Sequence, residues 1–340
     1  MSICIDCHAH FLPDEFVEKM EKRGFAEPHK SERYVNVTDD LTGYARKTTR
    51  LPYFSLLWDV DERIELADRQ HIERQIICLP PFWFGYKPGP SVGLEICRAG
   101  NDALANVVAR APQHFAAFAT VPLQSPADAV AELHRAVEQL GFWGAEIGTS
   151  VAGAPLDDPK LDAFWAACCE LDVPLFMHPQ HELAADRTRD FYLFNLYGNP
   201  SETGLTIARM IFGGVFERFP QLHLILAHGG GTIPYIIGRL DHGWRVRPET
   251  KTIPKPPSEY LGQLYFDTIT HDEAMLAYLV GRVGYQHVVV GTDRPFDMGI
   301  DDPRGLVGRI PGLSETQREG IIGRNAASFL SRSLDAAEAT

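Results

Sequence analysis

Eight short apolar segments alternate with amphipathic segments along the whole chain, and this alternation limits the possible folds more than any other feature. The apolar segments are nearly continuous, as in strands that are buried on both faces of a parallel sheet. They cover residues 3–10, 74–80, 115–123, 144–149, 174–178, 223–228, 264–270 and 287–293. Eight such strands with helices between them predict a (β/α)8 TIM barrel. A doubly wound sheet is the alternative, but no Gly-x-Gly-x-x-Gly motif follows an early strand.

Helix boundary signals occur between these strands. Ser125 and Pro126 are typical of an N-cap followed by a first-turn proline, and Gly141 is placed to end that helix. Ser314 and Gln317 have the spacing of a capping box that begins another helix. The segments between the strands are therefore expected to be helices, as the barrel requires.

The chain is long for one domain, but barrels commonly reach this length when they carry insertions. With 340 residues, of which 45% are hydrophobic, it can bury a sizeable core. We predict a single barrel domain over residues 1–333, with an insertion at 11–60 after the first strand and a tail at 334–340. A second long segment, 179–205, follows the fifth strand. Both long segments leave from strand C-termini, where barrel active sites form, and are expected to wall the pocket.

Charge and cysteine content narrow the class of protein. A net charge of −13 argues against nucleic acid and anionic membranes as the main partners. No apolar run approaches the 18 residues of a membrane span, and the first fifteen residues do not resemble a signal peptide. The six cysteines are interpreted as reduced core thiols, since strand alternation would point Cys4 and Cys7 to opposite faces. A cytoplasmic protein is expected.

Ionisable residues end four of the apolar strands. His8 and His10 lie two apart at the end of the first strand, so they share one face. His178, His228 and Asp293 end the fifth, sixth and eighth strands. Each alone could be a hydrogen-bonded histidine or a helix N-cap, but all of them should meet at one mouth of the barrel. Three histidines and one aspartate would bind one divalent metal, and the further histidine would serve as a general acid or base.

Several motifs then identify a resemblance. The chain resembles the amidohydrolase superfamily, in the branch of aminocarboxymuconate-semialdehyde decarboxylase and related non-oxidative decarboxylases. The matching motifs are D-C-H-A-H-F-L-P (6–13), W-D-V-D-E-R-I (58–64), G-F-W-G-A-E-I-G-T (141–149), M-H-P (177–179), M-I-F-G-G-V-F-E-R-F-P (210–220), A-H-G-G-G (227–231), G-R-L-D-H-G (238–243) and G-T-D-R-P-F (291–296).

The resemblance assigns roles to these residues. It implies one metal ion bound by four ligands, which are His8, His10, His178 and Asp293. It implies that His228 acts on metal-bound water or on the substrate, and that Arg239 reaches a substrate carboxylate across a homodimer interface. Zinc is the expected ion because three imidazoles and a carboxylate suit it, with manganese as the alternative.

The chain departs from the family pattern in its substrate-binding segments. The resemblance implies a carboxylate-binding arginine in the tract before Trp58, at a position that we assign to Phe54. Arg46 or Arg50 could replace it, but a solvated loop is the favoured interpretation of each. The aromatic tract at 81–84 makes Trp83 a candidate substrate contact, as is Phe296 in the last motif. These rings favour an aromatic carboxylic acid as substrate.

The sequence therefore predicts a metal-dependent decarboxylase of a small aromatic or unsaturated carboxylic acid, with His228 and Asp293 handling protons. A metal-dependent hydrolase, such as a lactonase or amidase, is the alternative, because the same groups could direct water at a carbonyl. A binding protein without activity would need a broken ligand set, and the set is complete. No organic cofactor is expected.

Overall fold

The computed structural model describes residues 3–42, 48–180, 183 and 186–330. The strands within those residues are β1 Ile5–His10, β2 Ala26–His29, β3 Tyr34–Thr38, β4 Thr48–Pro52, β5 Arg74–Cys78, β6 Phe115–Thr120, β7 Gly144–Ile147, β8 Leu175–Met177, β9 Leu224–Leu226, β10 Leu264–Asp267 and β11 Val288–Val289. The α-helices are α1 Asp14–Lys22, α2 Asp39–Thr42, α3 Val60–Arg69, α4 Pro90–Arg110, α5 Pro126–Glu138, α6 Asp162–Leu171, α7 Asn199–Phe212, α8 Val215–Arg218, α9 Ile233–Val246, α10 Glu273–Val283, α11 Pro303–Gly308, α12 Glu315–Glu319 and α13 Asn325–Phe329.

Eight of the strands form one parallel sheet in chain order, β1-β5-β6-β7-β8-β9-β10-β11. The segment that follows β11 closes this sheet against β1. The amide of Cys7 donates to the carbonyl of Val290, and the amide of Asp293 donates to the carbonyl of His8, both at 2.8 Å. The predicted (β/α)8 barrel is therefore confirmed, and each predicted strand contains an observed one.

The strands that carry the predicted site residues are shorter than predicted. The sixth and eighth segments, 223–228 and 287–293, contain only three and two residues in strand conformation. Beyond the ends of these strands, His228 and Asp293 have positive φ angles of 56° and 57°. Non-glycine residues rarely adopt this region, and it turns the backbone sharply. These two side chains therefore lie just beyond the ends of the strands, at the barrel mouth.

Residues 11–60, between β1 and α3, contain a second, smaller sheet. Strands β2, β3 and β4 are antiparallel, and Val35, Val37 and Leu51 belong to the same buried cluster as residues of the barrel. The sequence did not predict this sheet, because its strands are short and carry polar residues on their exposed side. The predicted tail, 334–340, lies outside the described residues.

Local signals in the sequence agree with the helix ends. Ser125 precedes α5, and Ser314 and Gln317 form a complete capping box at α12. All six cysteines are free, and Cys4 and Cys7 pack in different clusters. In the part of the chain that the structure describes, no helix combines the length and apolar character needed to cross a bilayer.

Candidate metal centre and substrate cavity

Four predicted ligands converge at the mouth of the barrel. His8 and His10 at the end of β1, His178 after β8 and Asp293 after β11 each bring one donor atom to within 4.8 Å of the others. All four residues are buried, with His8 and His10 wholly inaccessible. Burial of this many ionisable groups is costly unless they are paired or bind a metal.

Hydrogen bonds fix how two of the imidazoles face the centre. Nδ1 of His8 lies 2.7 Å from a carboxylate oxygen of Asp267, and Nδ1 of His178 lies 2.9 Å from the carbonyl of Pro179. Because both partners are acceptors, each Nδ1 carries a proton, which leaves Nε2 as the ring atom that would bind a metal. Such outer partners orient ligating histidines in metal sites.

The spacing of the donor atoms fits a divalent ion. Nε2 of His8 lies 3.3 Å from Nε2 of His10 and 3.4 Å from Oδ1 of Asp293, while Nε2 of His10 lies 3.3 Å from the same oxygen. Ligand atoms about 2.1 Å from a tetrahedral ion lie about 3.4 Å from one another. A shared cation also explains why three acceptor atoms approach each other so closely. Three imidazoles and one carboxylate are the donor set of a mononuclear site.

Charge and burial tune these groups. Burial lowers the pKa of His178 well below its ordinary value, and the neighbouring histidines lower it further, so that ring is neutral. Burial alone would raise the pKa of Asp293, but His8 and hydrogen bonds from His10 and His228 hold it well below its usual value. The centre therefore offers an ionised carboxylate and a neutral imidazole, which are the forms that bind metal.

His228 stands beside this centre rather than in it. Its Nε2 lies 3.6 Å from Oδ2 of Asp293, on the opposite side of that carboxylate from His8 and His10. The backbone amides of His228 and Gly229 donate to Asp267 at 2.9 and 2.7 Å, which fixes the glycine-rich turn. Of these histidines His228 has the most exposed side chain, and it faces the cavity.

A buried acid lies beneath the centre. Glu146, near the end of β7, has no exposed surface, and burial raises the pKa of its carboxyl group well above the ordinary value. Its carboxyl group, the Cys78 thiol and the His10 ring lie within 4.8 Å of one another. Sγ of Cys78 lies 3.5 Å from Nδ1 of His10, so this group supports the back of a ligand ring.

A cavity of about 630 Å³ opens above the metal ligands. Its floor is polar and its walls are largely aromatic and aliphatic, with residues from the insertion on one side and from the segment after β8 on the other. The lining residues are His10, Arg33, Thr49, Arg50, Leu51, Pro52, Phe54, Leu56, Pro81, Phe82, His178, Pro179, Tyr192, Phe194, Asn195, Asn199, His228, Asp293, Pro295, Phe296, Asp297 and Met298. The size and lining suit a small planar molecule with a polar end.

Two arginines lie at the exposed end of this cavity. The Arg50 guanidinium stacks 3.4 Å from the centre of the Tyr34 ring, and the Arg33 guanidinium lies 5.3 Å from the centre of the Phe54 ring. Among the described residues, no carboxylate oxygen lies within 4.0 Å of either guanidinium. Both cations are therefore available to an anionic group in the cavity. Arg46, the other candidate from the sequence, lies outside the described residues.

The three predicted substrate contacts have different outcomes. Phe296 lines the cavity, and its ring centre lies 5.4 Å from that of His10. Trp83 does not line it: the side chain is fully buried and packs edge to face on Phe16, and the preceding residue, Phe82, lines the wall instead. The short helical turn after β5, Pro81–Trp83, directs the side chains of Phe82 and Trp83 to different sides. Arg239 is exposed on α9 and does not reach the cavity of its own chain.

Sequence reasoning missed Asp267 and Glu146. Asp267 ends β10 as the predicted ligands end their strands, so the same rule could have found it. The predicted strand ran on to residue 270, which hid that position. Glu146 lies inside an apolar strand, where no pattern distinguishes a functional carboxyl group from a strand residue.

Comparisons with known proteins agree with this geometry. The model of the amidohydrolase family matches residues 5–332. The chain is 36% identical over 335 residues to a 2-amino-3-carboxymuconate-6-semialdehyde decarboxylase of Dictyostelium discoideum, covering 97% of this chain and 92% of the relative. It is 34% identical over 256 residues to a gamma-resorcylate decarboxylase of Rhizobium radiobacter, covering 70% and 77%. A dihydroxybenzoic acid decarboxylase of Polaromonas sp. JS666, solved with manganese and 2-nitroresorcinol, superposes with a TM-score of 0.76 at 26% identity over 98% of this chain and 99% of that one.

Proposed function

The chain belongs to the amidohydrolase family, and we propose that it is a metal-dependent, non-oxidative decarboxylase of a small aromatic or unsaturated carboxylic acid. The observation that carries this proposal is the position of His228. It lies at the floor of an aromatic-walled cavity, beside a complete three-histidine, one-aspartate ligand set. The named activities of the similar proteins favour decarboxylation over hydrolysis.

His8, His10, His178 and Asp293 would hold the ion. When bound, a divalent metal supplies Lewis acidity and a fixed point for orienting an anionic substrate. We propose zinc because imidazole and carboxylate ligands suit it, and manganese, which the Polaromonas enzyme contains, is the second candidate.

The cavity walls would hold the substrate. Phe82 and Phe296 line the cavity close to its floor and offer flat apolar surfaces to an unsaturated or aromatic acid. Arg33 and Arg50 lie at the open end, where a guanidinium can form charge-assisted hydrogen bonds with a second polar or anionic group. A substrate with an acidic group at one end and a polar group at the other would fill both positions.

His228 would provide the proton that decarboxylation requires. As the bond between the substrate carbon and the carboxyl group breaks, CO₂ leaves and the electron pair stays on the carbon. An N–H of His228 then protonates that carbon, and His228 regains its proton from solvent through the open side of the cavity. Oδ2 of Asp293, 3.6 Å from Nε2 of His228, would orient the ring and take part in this proton transfer.

We also propose that the protein is a homodimer. Tyr235 on α9 is 82% exposed, and Met275 on α10 is 54% exposed. The hydroxyl of Tyr278 on α10 donates to the carbonyl of Pro234, which joins the two helices into one face. Large exposed apolar side chains on one face are typical of a protein interface.

Arg239 belongs to the same face. It follows Tyr235 by four residues, so the two side chains are neighbours on one side of α9. A second copy docked on this face would bring Arg239 to the rim of the partner's cavity, where it could bind a substrate carboxylate. Six free cysteines fit a reducing compartment, so we propose the cytoplasm as the location.

A panel of acids tests the proposed reaction. Purified, metal-replete protein is incubated with ortho-hydroxybenzoates, aminobenzoates and muconate-type acids, and both CO₂ release and loss of substrate are measured. We expect one class to release CO₂ in equal molar amount to the substrate consumed, and His228→Ala to slow this release by roughly 100-fold or more. Water addition to a lactone or amide, without CO₂ from any acid, would instead support the hydrolase.

A further inference from the structure

Arg63 is a fully buried arginine that has no part in the proposed chemistry. It lies on α3, and all of its described hydrogen bonds stay inside the protein. Nε donates to Oε1 of Gln75 at 2.9 Å, Nη1 to the carbonyl of Leu56 at 3.3 Å, and Nη2 to the carbonyl of Arg294 at 2.8 Å. Burial lowers the pKa of Arg63 to about 10, so the group is charged at neutral pH. A buried charge needs partners of this quality to be tolerated.

The counter-charge of Arg63 is one side chain away. Nε2 of Gln75 donates to Oδ2 of Asp6 at 2.9 Å, so the amide of Gln75 joins the guanidinium to the carboxylate. Gln75 and Asp6 are as deeply buried as Arg63. The three side chains therefore form a relay from α3 through β5 to β1, with a cation at one end and an anion at the other.

Both ends of this relay touch the segments that carry metal ligands. Asp6 accepts hydrogen bonds from the amide of His8 at 3.1 Å and from the amide and hydroxyl of Thr292 at 3.0 and 2.6 Å. Arg63 donates to the carbonyl of Arg294, which also accepts from the amide of His10 at 2.8 Å. Thr292 and Arg294, which flank Asp293, are thus held by the Asp6 end and the Arg63 end of the relay, respectively.

Asp293 has a conformation that needs such support. Its φ of 57° lies in the left-handed region, which residues other than glycine adopt uncommonly, although Asp adopts it more often than most. Strained residues of this kind persist only where the surrounding structure determines them. The relay supplies this support by holding Thr292 and Arg294, the two neighbours of Asp293. It thereby directs the Asp293 carboxylate toward the histidines.

We propose that Arg63 is a positioning residue for the metal centre, acting on Asp293 through the carbonyl of Arg294 and through Gln75 and Asp6. The inference rests on the metal site of the proposed function, but it is independent of the reaction that occurs there. It also gives the arginine of the W-D-V-D-E-R-I segment a role in metal binding, although Arg63 contacts none of the ligand side chains.

The affinity for metal tests this proposal without any turnover. Arg63→Met keeps the bulk of the side chain but removes its donors, and Arg63→Lys keeps the charge but not the planar fork. Each chain is stripped of metal and titrated with Zn²⁺ against a competing chelator, and the melting temperature of the metal-free form is recorded separately. The visible spectrum of the Co²⁺-loaded chain reports the coordination geometry.

Asp59→Ala is the matched control. Asp59 is the N-cap of the same helix, where its side chain accepts from the amides of Asp61 and Glu62. Only its backbone carbonyl, which the substitution keeps, contacts Arg63, by accepting from the Arg63 amide at 3.1 Å. Its loss should lower the melting temperature and leave the zinc dissociation constant and the Co²⁺ spectrum unchanged.

We expect Arg63→Met to weaken zinc binding by about 10- to 100-fold, the usual range for groups that support ligands. The zinc affinity of Arg63→Lys should lie between that of Arg63→Met and that of the original chain. An altered Co²⁺ spectrum in either variant would show that the coordination geometry has changed, as a positioning role for Arg63 requires. If Arg63→Met does not fold, the Lys variant decides alone.

A dissociation constant within twofold of the original, with melting lowered as in the control, would show that Arg63 only holds the helix in place and would overturn the proposal. If the original chain binds no metal, the proposal falls as well. If zinc binds as expected and no acid releases CO₂, only the proposed reaction falls.

Discussion

The carboxylate of Asp267 accepts a hydrogen bond from Nδ1 of His8 at 2.7 Å and also accepts from the backbone amide of His228 at 2.9 Å. One buried side chain therefore orients a metal ligand and anchors the turn that presents the proposed acid. Outer carboxylates of this kind fix the orientation of a ligating histidine and raise its basicity.

Asp267→Asn should therefore weaken metal binding. Both carboxylate oxygens of Asp267 accept hydrogen bonds, so the NH₂ group of asparagine would point at a hydrogen-bond donor. The ring of His8 would also lose its ionic partner. We expect metal affinity to fall by about 10- to 100-fold, measured by competition with a chelator. Asp272→Asn is the control, because the Asp272 side chain is exposed and caps α10 by accepting from the amide of Met275. Equal affinities for the original chain and Asp267→Asn would contradict this role.

The purified protein should contain one divalent ion per chain. The four ligands enclose one position, and the neighbouring group of His10, Cys78 and Glu146 shares His10 with it. Elemental analysis should give one equivalent, and Cys78→Ala should not change that ratio. Removal of the ion should lower the melting temperature, because a ligand that binds only the folded state stabilises it. Two ions per chain, or none after metal-replete expression, would contradict the assignment.

The barrel and the convergence of the histidines and aspartate at its strand ends were predictable, because both follow from simple periodic rules. Buried parallel strands are apolar throughout, and their C-terminal ends share one mouth, so His178 and Asp293 could be placed by counting. The substrate wall was less predictable. Phe82 and Trp83 are adjacent in sequence, and a single turn of irregular backbone decides which of them faces the cavity. Arg33 lines the cavity from the turn just before β3 of the insertion, and the strands of that sheet, at four or five residues, are too short to be predicted from their alternation alone.

His228 and His178 should behave differently when removed. His178 has its donor atom among the ligands, whereas Nε2 of His228 lies 3.6 Å beyond the Asp293 carboxylate. His228→Ala should keep the metal and lower kcat by roughly 100-fold or more, as expected for a positioned acid. His178→Ala should lose metal. Metal content and steady-state rates distinguish the two, and equal metal loss would make His228 a ligand.

The two arginines at the cavity mouth should act on substrate binding more than on chemistry. Arg33 and Arg50 have exposed positions at the far end of the cavity from the ligands. A hydrogen bond to a charged group contributes about 1.5–3 kcal/mol. Arg50→Gln should therefore raise KM by about 10- to 100-fold with little change in kcat. Arg69→Gln, on the exposed side of α3, is the control. An unchanged KM for both Arg33→Gln and Arg50→Gln would exclude them from substrate binding.

Arg239 supplies the most direct test of a shared site. It is exposed on α9 and absent from its own cavity, so any role in substrate binding requires a second chain. The alternative is a surface side chain that contributes little. Arg239→Ala and His228→Ala chains, each nearly inactive alone, are mixed under conditions in which subunit exchange is demonstrated. In a twofold dimer, a mixed pair has both lesions in one cavity and an intact second cavity.

Activity should then recover to a fraction of the original that follows the population of mixed dimers. Activity measured over a series of mixing ratios should follow the calculated fraction of mixed dimers, because each mixed dimer contributes one working site. The control is a mixture of His228→Ala with His178→Ala, whose lesions lie in the same chain's site. That mixture gives no intact cavity in any combination. Recovery only in the first mixture would establish that Arg239 crosses the interface, whereas no recovery despite exchange would leave Arg239 as a surface residue of its own chain.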